Sequence, residues 1–123
     1  RFIVFLRPAW PPTYEKTPEV YAACDILLKT SLLESFSYPP LEMMASGGYV
    51  VAVPNGGNLE YLKDGENCIL YPQGNLAEAK AAIERILTDA ELRKKLDTGA
   101  EETVKERNWK RIEPQILEQY LGK

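Results

Sequence analysis

The feature that most constrains the fold is one stretch that runs from strand to loop to helix to strand. An apolar run at residues 26–30 leads into it, and a second apolar run at residues 49–53 leads out. Between them, Pro39 and Pro40 suit the first turn of a helix, because proline presets φ and its missing N–H would have no intrahelical partner there. The stretch therefore predicts a βαβ unit with its helix at about residues 40–46.

Short strands and short helices alternate on either side of this unit. Apolar runs predict a first strand at residues 2–6 and a last one at residues 68–71, and short helices are expected at about residues 18–24 and 58–63. Such alternation is typical of a parallel sheet with helices on its faces. The sequence thus predicts an α/β fold.

From residue 74 onward the pattern is helical. Asn75 suits an N-cap with Glu78 three residues later, and Asp89 suits the N-cap of a second helix. A third helix is expected to open at Asn108, with a kink or a later start caused by Pro114. Apolar side chains at helical spacing are expected on buried faces of the three helices: Leu76, Ala79, Ile83, Ile86, Leu87, Leu92, Leu96, Val104, Ile112, Ile116, Leu117, Tyr120 and Leu121.

Composition and charge exclude several classes of protein. Hydrophobic residues make up 45% of the 123 residues, which suits one domain with its own core. No apolar run has the length of a membrane span, and the net charge of −3 argues against a nucleic-acid backbone as ligand. Without histidine, no zinc site is expected, and Cys24 and Cys68 are expected to be reduced and buried, as in cytoplasmic proteins. Because the sequence begins at Arg1 without methionine, we expect it to be part of a longer protein.

Two carboxylates bracket the loop of the central unit. Glu34 follows the strand, at the edge of the sheet where open α/β folds bind ligands. Glu42 is expected in the first turn of the helix, where the helix dipole favours a negative charge. From these residues alone, an exposed loop glutamate and a helix-dipole glutamate are the simpler interpretations.

The ordered set of motifs around these glutamates resembles the retaining nucleotide-sugar glycosyltransferases of family 4. The pair Glu34 and Glu42 resembles the E-x7-E motif of that family, which alone would be weak evidence. Further matches follow in the family's order, within roughly residues 2 to 121: residues 21–25, Ser31, residues 45–47, residues 53–60 and residues 64–70. The resemblance implies the GT-B architecture of two Rossmann-like domains facing across a cleft. This chain would be part of the C-terminal, donor-binding one, a Rossmann-like parallel sheet with flanking helices and a helical C-terminal portion.

The resemblance also implies roles for individual residues. Glu34 would be the catalytic residue near the donor sugar, where retaining transfer builds positive charge at the anomeric carbon. Glu42 would accept hydrogen bonds from the two hydroxyls of a ribose. The remaining donor-binding candidates lie in the two loops: Ser35, Phe36, Ser37, Tyr38, Gly56 and Gly57.

Several of these residues have a structural interpretation of equal weight. The family commonly has glycine where Ser35 and Ser37 stand, and two successive prolines delete N–H groups that a diphosphate could use. Phe36 is as well suited to anchor the core as to contact a ligand. Gly56 and Gly57 are typical of a turn in which glycine supplies positive φ.

The donor implied is a nucleoside-diphosphate sugar, and the acceptor a glycan, lipid or small molecule, as in glycan biosynthesis. Neither a metal nor a cofactor is implied. Trp10 and Tyr14 lie where the family's loop meets the nucleobase, and either stacking on the base or packing under the loop is open. The family's acceptor-binding N-terminal domain and its diphosphate-binding Arg and Lys are missing from this sequence. This fragment alone is therefore expected to be inactive, and peripheral membrane contact is expected only through the missing part.

Two further alternatives concern assembly. In the family's order, missing strands would separate residues 2–6 from residues 26–30, so either these two pair directly or an open sheet edge pairs with a second copy in a homodimer. The rival functional interpretation is a non-catalytic, degenerate transferase-like module kept for binding or assembly.

Overall fold

The fold is built on a four-stranded parallel sheet whose strand order follows the chain. The computed structural model describes residues 4–5 and 14–122. The strands are β1 (Val4–Phe5), β2 (Ile26–Lys29), β3 (Tyr49–Ala52) and β4 (Ile69–Leu70). All three neighbouring pairs are parallel. The predicted α/β fold with a parallel sheet is confirmed.

Within the described residues, five helices and one 3₁₀ turn connect and follow the strands. The turn is Tyr14–Lys16, and the helices are α1 (Thr17–Ala22), α2 (Tyr38–Ala45), α3 (Leu76–Thr88), α4 (Ala90–Glu106) and α5 (Trp109–Leu121). No helix within the described ranges is long and apolar enough to cross a membrane.

The three C-terminal helices start where the sequence predicts. The side-chain oxygens of Asn75, Asp89 and Asn108 each accept a hydrogen bond from a backbone amide in the first turn, at distances of 3.0, 2.9 and 3.0 Å. Each bond satisfies an amide that has no partner within its helix. These caps fix the beginnings of α3, α4 and α5.

Two apolar clusters cover the two faces of the sheet. In β3, Val50 and Ala52 point into one cluster with Met43 of α2, while Val51, and Val53 directly after the strand, point into the other with Ile86 of α3. Successive strand residues face opposite sides, so a strand covered on both sides is apolar throughout. This explains the continuous apolar run at residues 49–53, and it holds the carboxyl ends of β2 and β3 rigidly.

The first strand pairs directly with the second. Val4 lies opposite Ile26 and Phe5 opposite Leu27. Of the two arrangements open from the sequence, direct pairing is the one found. The rest of the predicted strand at residues 2–6 lies outside the described residues.

The predicted helix at residues 58–63 is wrong. Residues 56–61 form consecutive turns, with helix-like bonds from the Leu59 amide to the Asn55 carbonyl at 3.1 Å and from the Leu62 amide to the Asn58 carbonyl at 2.8 Å. The Lys63 amide donates to Asn67 Oδ1 at 2.8 Å, so a side-chain oxygen takes the place of a carbonyl from the preceding turn. Of the two outcomes expected from Pro114, a kink or a later start, the later start is not found, because α5 begins at Trp109 and contains this proline.

Three predictions of burial are also wrong. Leu76, at the first position of α3, is 82% exposed. Cys24 is only half-buried, whereas Cys68 is buried as predicted. No described residue of α5 is buried, and the apolar side chains expected in its core face include exposed Leu117, Tyr120 and Leu121. Helical spacing predicts which residues share a face, but burial depends on whether another element covers that face.

Candidate functional site

Glu34 lies in the loop that follows β2, at the carboxyl edge of the sheet, as predicted. Its Oε1 atom accepts a hydrogen bond from Lys29 Nζ, and the same ammonium donates to Ser31 Oγ at 2.7 Å. The side chains of Lys29 and Glu34 are 14% and 28% exposed. The candidate catalytic carboxylate is therefore held in a partly enclosed ion pair.

The loop after β3 packs directly against this first loop. A Cβ atom on Gly57 would lie 2.4 Å from the carbonyl oxygen of Glu34 and 2.8 Å from the carbonyl carbon of Ser35. Gly56, by contrast, has open space around its Cα. Gly57 thus allows the two backbones to touch, and neither glycine adopts the positive φ that the sequence suggested.

Two asparagines give the second loop its shape. Asn55 Oδ1 accepts from the amides of Gly57 and Asn58 at 3.1 and 3.0 Å, and Asn58 Oδ1 accepts from the Asn55 amide at 2.9 Å. Asn55 Nδ2 also donates to the Ser31 carbonyl at 3.0 Å, and Asn58 Nδ2 donates to the Val53 carbonyl at 2.9 Å. This network joins the second loop both to its own strand and to the loop of Glu34.

Ser37 is the N-cap of α2 and has an unusual backbone. Its φ and ψ are both 70°, and no other non-glycine residue in the described part of the chain has positive φ. Its side chain is buried, and Oγ has no hydrogen-bond partner among the described residues. The left-handed conformation accounts for the glycine expected here from the family motif. The hydroxyl is enclosed.

Phe36 and Tyr61 tie the two loops together. The Tyr61 hydroxyl donates to the Ser37 carbonyl. The Phe36 ring lies 5.0 Å from that of Tyr38 and 5.1 Å from that of Tyr61, measured between centroids. Phe36 also packs against the core beside α2, which supports its interpretation as an anchor.

Tyr61 connects the environments of the two glutamates. Burial, above all, raises the pKa of its hydroxyl well above the usual range, and the nearby Cys68, Glu34 and Glu42 raise it further. Tyr61 is therefore a neutral donor at physiological pH. The loop of Glu34 leads directly into α2, on which Glu42 lies.

Glu42 does not lie in the first turn of α2, and that prediction is wrong. The helix begins at Tyr38, so Glu42 is its fifth residue, and the first turn contains no acidic residue. Pro39 and Pro40 are both accommodated because their missing N–H groups fall among the first four, which have no intrahelical acceptor. Glu42 is half-buried, and the helix dipole does not explain its presence.

Of the remaining donor-binding candidates, some are exposed, some are buried, and some lie outside the described residues. Ser35 and Tyr38 are exposed beside the enclosed Ser37, and Gly56 is exposed beside the buried Gly57. Trp10 lies outside the described residues, as does the side chain of Tyr14. The described residues contain no cluster of three acidic or thiol side chains that could hold a metal ion.

The sequence matches the family model described as Glycosyl transferases group 1 over residues 10–103, most of the chain. The chain belongs to this family. Among curated relatives of this glycosyltransferase domain, the O-antigen biosynthesis protein RfbC of Myxococcus xanthus is 36% identical over 111 residues, which are 88% of the chain and 8% of RfbC.

Solved structures show the same fold. HepE of Anabaena, crystallised in complex with UDP-glucose, matches with a TM-score of 0.77 and 29% identity over 86% of this chain and 30% of its own. The C-terminal domain of LpcC, a glycosyl transferase group 1 family protein of Francisella tularensis, matches with a TM-score of 0.70 and 27% identity over 81% of this chain and 51% of its own. The glycosyltransferase chain thus has a GT-B C-terminal fold and spans less than a third of RfbC and of HepE.

Sequence reasoning missed two residues that shape this glycosyltransferase site. Lys29 ends an otherwise apolar strand, five residues before Glu34, and a lone cation at such a strand end was the signal available. Tyr61 gave no comparable signal. Its contact with the Ser37 carbonyl spans 24 residues and depends on the turns that replaced the predicted helix.

Proposed function

We propose that this domain binds the nucleoside-diphosphate sugar of a retaining glycosyltransferase of family 4. One observation carries the proposal: the loop of Glu34 leaves β2 and leads directly into α2, which carries Glu42, in a fold shared with HepE, a protein crystallised with UDP-glucose. The full enzyme would transfer the sugar to a glycan, lipid or small-molecule acceptor. Because the chain spans a small part of its relatives, the acceptor would bind the part that this sequence lacks.

Each glutamate has a distinct role in this proposal. A retaining transfer develops positive charge at the anomeric carbon, and in this proposal the Glu34 carboxylate stabilises that charge. Glu42 sits one turn further into α2 and accepts hydrogen bonds from vicinal ribose hydroxyls. The sugar therefore lies on the side of Glu34 and the nucleoside on the side of Glu42.

The loop residues hold the donor in between. Ser35 and Tyr38 have exposed side chains that can contact the donor. Ser37 can contact it only through backbone atoms, since its hydroxyl is enclosed. Phe36 supports the loop from below, and Gly56 and Gly57 bring the second loop up to it. The family resemblance implies catalysis without metal or cofactor in the cytoplasm, with this fragment alone inactive because half of the cleft is elsewhere.

A non-catalytic module is the second candidate. Ser37 strains the N-cap where the family commonly has glycine, and Pro39 and Pro40 remove two amides from the start of α2. Both changes weaken a diphosphate cradle at a helix N-terminus. A domain of this kind could serve assembly without transferring a sugar.

Nucleotide titration separates the two candidates and tests the division of roles. In the full-length protein, calorimetry with UDP, GDP, ADP and dTDP should detect binding of at least one of them. Glu42→Ala should weaken that binding about 10- to 100-fold, because a hydrogen bond to a charged group is lost. Glu34→Ala should leave nucleotide affinity nearly unchanged and lower the transfer rate.

Glu102→Ala, an exposed glutamate on α4, is the matched control and should change neither quantity. If Glu34→Ala loses the nucleotide as severely as Glu42→Ala, the two roles are not separable. If none of the four nucleotides binds the unmodified protein, the donor-binding proposal fails and the non-catalytic module is favoured.

A further inference from the structure

Lys29, the last residue of β2, places its ammonium group beside Glu34 in the candidate donor site. Its backbone is part of the β2–β3 ladder, opposite Ala52, and its carbonyl accepts from the Val53 amide at 3.0 Å. Its side chain, 14% exposed, reaches over the loop to Ser31 and Glu34. A charge so enclosed needs charged or polar partners, and the loop supplies both.

Two independent contacts hold the loop of Glu34. The backbone at Glu34 rests against Gly57, where no Cβ could fit. The side chain of Glu34 is held by Lys29 Nζ, which also holds Ser31, and Ser31 in turn is fixed through its carbonyl by Asn55. Gly57 therefore sets the position of the Glu34 backbone, and Lys29 sets the direction of the Glu34 carboxylate.

We propose that Lys29 is a positioning residue, which fixes the Glu34 carboxylate for sugar transfer without contributing to nucleotide affinity. The inference rests on the proposed function and adds to it a residue outside the E-x7-E motif. Lys29 and Glu42 belong to different elements, β2 and α2, so loss of the ammonium should leave the nucleoside contacts in place. Misplacement of a reacting group by about 1 Å can lower a rate about 100-fold.

The test uses the full-length protein with four changes: Lys29→Met, Lys29→Arg, Glu34→Gln and the Lys29→Met/Glu34→Gln pair. Methionine keeps a linear apolar side chain of similar length, whereas arginine keeps the charge. We expect Lys29→Met to lower kcat for sugar transfer about 10- to 100-fold, with KM for the donor and Kd for UDP changed less than about threefold. Lys29→Arg should restore most of the rate.

The double variant shows whether Lys29 acts through Glu34. In the Glu34→Gln background, Lys29→Met should cause little further loss of kcat. An equal loss in both backgrounds would mean that Lys29 acts independently, and a raised Kd for UDP with unchanged kcat would mean that it binds the nucleotide. Either result overturns the inference.

Two controls keep the result interpretable. Lys63→Met removes an exposed lysine from the segment between the second loop and β4 and should change no kinetic constant. If Lys29→Met does not fold, Lys29→Gln replaces it with the same expectation. If the unmodified protein binds no nucleoside diphosphate, the proposed function itself fails; if it binds UDP and Lys29→Met keeps full kcat, only the role of Lys29 is overturned.

Discussion

Ser37 has a backbone conformation that its side chain disfavours. A left-handed non-glycine residue costs about 1–2 kcal/mol, and an unsatisfied buried hydroxyl costs a further 1–3 kcal/mol. Surrounding contacts hold it there: Tyr61 bonds its carbonyl and α2 begins at its C-terminal side. The site is therefore built on a residue that the rest of the fold must stabilise.

Ser37→Gly should make the chain more stable. Glycine relieves the left-handed strain and removes the unpartnered Oγ, and the larger entropy of the unfolded chain offsets only part of this gain. We expect the free energy of unfolding to rise by about 1 kcal/mol, measured by urea denaturation. Ser35→Gly, in the same loop without positive φ, should lower it by about 0.5 kcal/mol. A destabilised Ser37→Gly chain would contradict this account.

Single residues were predictable where their chemistry is local. The position of Glu34 after β2 follows from the strand and the motif, and the N-caps follow from Asn75, Asp89 and Asn108. The ion pair between Lys29 and Glu34 was not predicted. The apolar pattern of the strand does not indicate where its one charged side chain will point. The role of Tyr61 depends on a contact between distant loops, which no periodicity encodes.

At the scale of elements, the two loops at the carboxyl ends of β2 and β3 form one unit. Gly57 is their contact point, and the asparagines of the second loop are its internal frame. Gly57→Ala should therefore lower the free energy of unfolding by about 1–3 kcal/mol, since the new Cβ would meet backbone atoms of Glu34 and Ser35.

Gly56→Ala is the matched control for this change. Its Cβ would point into open space, so stability should be unchanged or should rise by up to about 1 kcal/mol. Thermal unfolding of both variants decides the matter. Equal stabilities for the two would show that the loops do not touch at Gly57.

The elements themselves were predicted well where both faces of a strand or one face of a helix are apolar. The unit from β2 through α2 to β3 is confirmed, with α2 starting two residues earlier than expected. The helix predicted at residues 58–63 does not form as such, and the Lys63 amide at its end donates to the Asn67 side chain and not to a carbonyl of the preceding turn. The prediction of a buried face on α5 was wrong because no other described element covers this helix.

At the scale of the whole molecule, buried neutral acids dominate the response to pH. Burial raises the pKa of the Cys68 thiol from 9.0 to about 12, and it also raises the pKa values of Tyr61, Tyr49 and Tyr71. The chain has no histidine. Stability should therefore change little between pH 6 and 8, where histidine would otherwise titrate.

Alkali should destabilise the fold in a defined window. Above about pH 9 the Cys68 thiol loses its proton in the unfolded chain but keeps it in the folded one, so the unfolded state binds fewer protons and the free energy of unfolding falls as pH rises towards 12. The slope for one such group is about 1 kcal/mol per pH unit, and the tyrosines add to it above about pH 10.

Urea titrations at pH 7, 8, 9.5 and 10.5 measure this slope. Cys68→Ala should remove most of the part that begins near pH 9, leaving a smaller contribution from Cys24, whose pKa is also raised by burial, and the later, tyrosine-dependent part. A free energy of unfolding that stays constant from pH 8 to 10.5 would contradict the prediction. Self-association through a sheet edge remains a separate prediction, to be tested by light scattering at high protein concentration.

The sequential strand order affects how such a chain folds during its synthesis and how it tolerates insertion or deletion of a strand. Each strand pairs with the one synthesised just before it, so a nascent chain can dock every new strand onto a partner that is already present. Pairing each strand with its neighbour in sequence keeps the loops that must close as short as a parallel crossover allows. The sheet can therefore grow during translation one βα step at a time. The same property lets insertion or loss of a step at an outer strand leave the register of the remaining strands unchanged.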